Sequence, residues 1–307
     1  MLDAQFYDLI QSLWGAFAEA MSSVRAREPE PPPTPPILQL RAGLAESPAW
    51  FLVQAAEFDP EPLTVERLRV RDVYASERIV AALLDLMASE QWFDHDGGAY
   101  RLRIEGRAVL DRIHANRYRW LGALDLPDAA QRLERRFRDL INRSLDAPDP
   151  PGIWCLVHSR NRAPAEENST AAKLFQYVAD FNAFRDDCHM AGWRPLGVAG
   201  HVWEAFGLVG DETGPTADAL FAALAYRGYS VADYAAALAE LDGRGWARTG
   251  EVGYTLTDDG RAVRAEVERL TDDYFYAPWA ALSAAEILEI RDDIYTLRAS
   301  LEQPAAT

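Results

Sequence analysis

The spacing of apolar positions divides the chain into long helical stretches broken by two short pairs of strands. From Thr216 to Arg227, Ala219, Leu220, Ala223 and Leu224 recur at helical spacing, and Gly228 stops the run with a tight turn. Ser230 is placed to cap a second helix through about Asp242, with Tyr234, Leu238 and Leu241 as its buried stripe, and Gly243 and Gly245 end it. Trp246 to Thr249 and Gly253 to Leu256 read as short strands around Gly250-Glu251-Val252, and Thr257 to Gly260 caps a helix from Arg261 to Tyr276. An earlier stretch has the same order. A helix is expected over Leu63 to Asp72, a second over Glu77 to Ser89 capped by Ser76, and strands over Trp92 to Ile104, where Gly97 and Gly98 accept the positive φ of a hairpin turn. Further helices are expected over Leu2 to Val24, Asp128 to Leu145, Glu166 to Trp193 and Ser283 to Leu301.

The two stretches are copies. Sliding the chain by 154 positions places Trp92 on Trp246, Tyr100 on Tyr254, Leu102 on Leu256 and Gly106-Arg107-Ala108-Val109 on Gly260-Arg261-Ala262-Val263, with 11 identities over the 40 positions from Tyr74 to Ile113. Helix, turn, helix, two-stranded ribbon, helix is the winged helix-turn-helix order. The expected architecture is therefore mainly α with small β wings: two tandem winged helix-turn-helix units flanked by long helices. Residues 1–147 form the first repeat, 148–165 a linker opened by Asp146 to Gly152, and 166–307 the second repeat; the proline run over 28–36 is a stiff loop inside the first.

Leu256-Thr257-Asp258-Asp259-Gly260-Arg261-Ala262 resembles the LTxxGR signature of the MarR family of winged-helix regulators, and Leu102 to Ala108 resembles a degraded copy of it. The resemblance implies dimerisation through terminal helices, here a single-chain pseudo-dimer, with a homodimer also open. It further implies double-stranded DNA as partner and a small aromatic effector where winged units meet flanking helices. Trp120, Trp193, Trp203, Tyr276 and Trp279 are the candidate pocket residues, although aromatic stripes also serve as core. Neither wing keeps the family's Asp-x-Arg pair.

Charge makes the copies unequal. The 307 residues carry a net charge of -17, yet Val65 to Trp120 holds 10 arginines against 9 acids, which leaves the rest of the chain strongly acidic. A winged helix reads DNA with the start of its second helix and with its wing. The candidate contacts are Arg71, Tyr74, Ser76, Arg78, Arg101 and Arg103 in the first copy, expected to dominate, and Ser230, Tyr234, Arg244 and Arg248 in the second. The second recognition helix carries Asp233 and Glu240 and no basic residue, so a winged-helix scaffold that has lost DNA binding and joins proteins instead is the alternative. The Arg185 to His189 cluster reads as an interhelical polar network, ahead of a metal site or a Cys188 nucleophile. No nucleotide-loop, nucleophile-elbow or metalloprotease motif is present, so neither an enzyme nor a cofactor is expected. Two separated cysteines, no leader-like N-terminus and no long apolar run make a cytoplasmic protein without membrane association the expectation.

Overall fold

The computed structural model describes residues 2–29, 55–210 and 215–303; residues 30–36 of the expected proline loop lie outside them. In chain order its helices and strands are α1 (Ala4–Ala26), α2 (Val65–Arg71), α3 (Glu77–Ser89), β1 (Phe93–Asp96), β2 (Ala99–Leu102), α4 (Ile104–Gly122), α5 (Asp128–Leu145) and α6 (Trp154–Arg160). They continue with α7 (Thr170–Trp193), α8 (Gly200–Val209), α9 (Ala217–Ala223), α10 (Val231–Gly243), β3 (Ala247–Thr249), β4 (Tyr254–Leu256), α11 (Asp258–Tyr276) and α12 (Ala284–Glu302). The fold is mainly helical with two small antiparallel sheets. No helix among the described residues is long and apolar enough to cross a membrane.

The chain packs as two compact units that do not follow its halves. One comprises residues 2–29, 109–191 and 271–303; the other comprises 55–108 and 192–270, and so takes elements from both halves of the chain. In the first unit, one apolar stripe from each helix builds the core: Phe6, Ile10, Leu13 and Phe17 of α1, Leu133, Phe137 and Ile141 of α5, Phe181 and Phe184 of α7, and Ile290, Ile294 and Leu297 of α12. Burying such side chains contributes about 1.5–3 kcal/mol each. Ser283 caps α12 in a reciprocal box with Glu286. The stretch expected as linker, 148–165, contains α6. This short helix exists because Asp187, buried on α7, accepts hydrogen bonds from the amides of Cys155 (2.8 Å) and Leu156 (3.0 Å) at its first turn.

In the second unit the two hairpins have matching registers: Phe93 faces Leu102 and Asp94 faces Arg101, as Ala247 faces Leu256 and Arg248 faces Thr255. Each gains a third edge at the same tyrosine, since Leu63 exchanges backbone bonds with Tyr100 (2.8 Å) and Tyr254 donates to the carbonyl of Pro215 (3.2 Å). Each wing then turns into its helix by pressing a glycine on a tryptophan carbonyl. A Cβ at Gly106 would meet the Trp92 oxygen at 2.5 Å, and one at Gly260 would overlap the Trp246 oxygen.

Candidate functional site

The helix pairs α2–α3 and α9–α10 both lie in the second unit, and they meet where α3 and α10 begin. Ser76, the buried N-cap of α3, accepts from the amide of Ile79 (3.2 Å). Its own amide donates to the Arg227 carbonyl (2.8 Å) and its hydroxyl to the Gly228 carbonyl (3.1 Å), which also receives the Arg78 guanidinium (2.5 Å). Beneath this contact Arg227 joins two carboxylates, with Nη1 3.1 Å from both oxygens of Asp72 and Nη2 2.7 Å from Glu204. Its guanidinium lies over Tyr74 at 5.4 Å. Burial raises the Glu204 carboxyl above its usual range, and it also acts to lower Arg227, where Asp72 and Glu204 outweigh it and hold the guanidinium firmly charged.

Gly228 has φ +77°, and a Cβ there would stand 2.5 Å from the Ser76 hydroxyl and 2.6 Å from Cβ of Ile79. Gly228→Ala combines left-handed strain with overpacking and is expected to destabilise the protein by about 2–4 kcal/mol. Urea unfolding checks this; a midpoint unchanged from the parent would show that the two segments are not closely packed.

The sequence-predicted DNA contacts are distributed unevenly around this junction. Arg71 is drawn inward, 3.3 Å from the fully buried Glu57. Tyr74, Ser76 and Arg78 belong to the junction itself. Arg103 is shared between Asp94 (3.2 Å) and Glu105 (3.2 Å). Arg244 holds Glu240 (2.8 Å) and the carbonyls of Leu196 (3.0 Å) and Gly197 (3.1 Å). Tyr234 is 0% exposed and packs inside α10's apolar stripe. Ser230 is exposed and caps α10 reciprocally with Asp233. Arg101 on β2 and Arg248 on β3 stand exposed, with no carboxylate partner among the described residues. The outward face of α10 is Ala232, Asp233, Ala235, Ala236 and Ala239. The residues that sequence reasoning missed are Asp72, Glu204, Arg227 and Gly228.

The five candidate pocket aromatics do not share one wall. In the first unit Trp279 and Tyr276 are core, with the Tyr276 hydroxyl donating to the Asp3 carbonyl (2.6 Å), and Trp120 donates to Glu28 (3.1 Å). In the second unit Trp193 and Trp203 stack at 5.9 Å. Trp193 also borders a cavity of about 520 Å³ with Val65, Arg69, Val70, Val73 and Val198, and its buried Nε1 has no hydrogen-bond partner among the described residues. The Arg185 to His189 cluster disperses into packing roles: Arg185 pairs with Asp272 (2.9 Å), Asp187 caps α6, and His189 meets the Thr271 hydroxyl at 3.3 Å. Burial pushes the Cys188 thiol far up, away from nucleophilic use. Among the described residues no group of histidine, cysteine and carboxylate side chains is arranged to hold a metal ion.

No curated protein and no solved structure matches the chain. Over residues 157–306, from within α6 through α12, it matches the model of a helix-turn-helix family, which points to DNA-binding regulation in general rather than to catalysis.

Proposed function

We propose that the protein is a DNA-binding transcriptional regulator of winged, MarR-like type whose two helix-turn-helix copies are held together at the start of their second helices. The observation that carries the regulator reading is the family match, which spans the helix, helix, hairpin, helix order from α9 to α11. The junction determines how DNA would be met. Ser230 is three residues beyond Arg227, whose carbonyl is 2.8 Å from the Ser76 amide, so the two helix starts are within roughly 14 Å of each other. Reading two half-sites in successive major grooves needs a separation of about 34 Å. DNA contact in this arrangement falls to the exposed wing residues Arg101 and Arg248, which suit phosphate. The cavity beside α2 is the place for an aromatic effector, with Trp193 as the one predicted aromatic on its wall.

The scaffold reading is favoured by one specific observation: α10 turns alanines and Asp233 outward, and the start of α3 is already engaged by Gly228. Retardation of duplex DNA from the protein's own promoter region separates the two. The regulator is expected to bind at micromolar concentration and low salt, with log K falling against log salt at a slope of about -2 for two phosphate contacts. The Arg101→Gln/Arg248→Gln variant is expected to lose that binding. No retardation by the parent protein would overturn the regulator and leave the scaffold.

A further inference from the structure

In the first unit, α4 presents His114, Arg117 and Tyr118 on one face, at the i, i+3 and i+4 spacing that makes helix neighbours. All three are half-buried, and none makes a side-chain hydrogen bond or ion pair among the described residues. This is unusual in its setting. Elsewhere in the same unit arginines close on carboxylates: Arg160 on Asp180 at 2.7 Å, Arg185 on Asp272 at 2.9 Å and Arg136 on Glu286 at 2.8 Å. Arg117 instead lies over the ring of Phe175, its guanidinium carbon 5.4 Å from the centroid. Phe175 is itself stacked on the exposed Trp14 at 4.5 Å.

A second guanidinium, that of Arg162, is close enough to act on all three side chains. Burial first, then Arg117 and Arg162, lower His114 to about 4, with Asp111 as the one acid opposing them. Burial and Arg162 likewise lower Arg117. Arg117, half-buried over an aromatic ring and without an ion pair among the described residues, is positive charge withdrawn from water, and an arriving anion offsets the cost of that. An aromatic ring satisfies a face of a guanidinium and leaves its edge of N–H donors, the edge that forks onto carboxylate or phosphate oxygens.

We propose that His114, Arg117 and Tyr118, with Arg162 beside them, form a binding site for a small oxyanion, either a phosphate or a carboxylate group. Arg117 supplies the fork, and the Tyr118 hydroxyl and the His114 ring are positioned to donate to the remaining oxygens. The site is independent of the DNA-binding reading, since it draws on none of the junction or wing residues.

Thermal unfolding of the full chain at pH 7.5 tests this, with inorganic phosphate, sodium acetate and sodium chloride compared at equal ionic strength. Phosphate or acetate is expected to raise Tm saturably by several degrees over chloride, and the more effective of the two identifies the source of the oxyanion. Arg117→Gln is expected to weaken binding at least 10-fold and abolish the Tm response, while Arg112→Gln, exposed on the same helix, retains it. If Arg117→Gln does not fold, Tyr118→Phe is expected to weaken binding several-fold with the cation kept. In the parent protein the His114 ring is expected to titrate at higher pH with the anion bound, read by NMR. Equal Tm in all three salts, or an undiminished response in a folded Arg117→Gln or Tyr118→Phe variant, would overturn the proposal.

Discussion

Arg227→Ala is expected to destabilise the protein by about 3–5 kcal/mol, the scale of removing one partner from a buried ionic group. Arg227, Asp72 and Glu204 keep only 15%, 8% and 17% of their side-chain surface exposed. Truncation leaves two carboxylates facing each other with neither water nor cation to balance them, and the penalty of that vacancy exceeds the value of the lost contacts. Set against a total stability of about 5–15 kcal/mol, this is a large fraction. Arg227→Lys keeps the charge but not the fork that reaches both acids, so an intermediate loss is expected. Urea unfolding at neutral pH measures both. A loss below 1 kcal/mol for the alanine variant would mean that the three groups are solvated and do not hold the α2–α3 and α9–α10 helix pairs together.

Acid is expected to unfold the protein earlier than its carboxylates alone require. His114 is lowered to about 4 by burial and then by Arg117 and Arg162, and His189 to about 4 by burial and then by Arg185. In the unfolded chain both return to about 6.5. Between pH 6.5 and 4 the unfolded state therefore binds more protons, and stability falls as pH falls through that window. Allowing for partial exposure, each histidine contributes about 2 kcal/mol to the loss. Denaturant midpoints from pH 7 to pH 4 give the slope, which His114→Gln together with His189→Gln should flatten. The same slope in parent and double variant would assign the acid sensitivity elsewhere.

Much of the local structure was legible. The hairpins repeat because a wing that turns into a helix over a tryptophan carbonyl needs glycine at that point, and Gly106 and Gly260 meet Trp92 and Trp246 in the same way. Ser76 and Ser230 were legible as caps from their place before a periodic apolar run. Periodicity also put Tyr234 in the α10 stripe, where it is completely buried. The assembly of the second unit was not legible. Arg227 bonds Asp72 across 155 positions and Glu204 across 23, and in a periodic reading each is an ordinary solvated charge. Arg71, Arg78, Arg103 and Arg244 were open to the same ambiguity, because a guanidinium that grips phosphate and one that closes on a neighbouring carbonyl or carboxylate have the same sequence signature.

The division of the second unit into two distant stretches sets a clock on its synthesis. Residues 55–108 leave the ribosome about 160 residues before residue 270 completes the stretch they pack with. At about 5–20 residues per second that interval is roughly 8–30 s, long compared with the microseconds in which a hairpin or helix forms. Until then Asp72, Ser76 and Ile79 stand on the nascent chain without the Arg227 and Gly228 contacts that cover them in the folded unit.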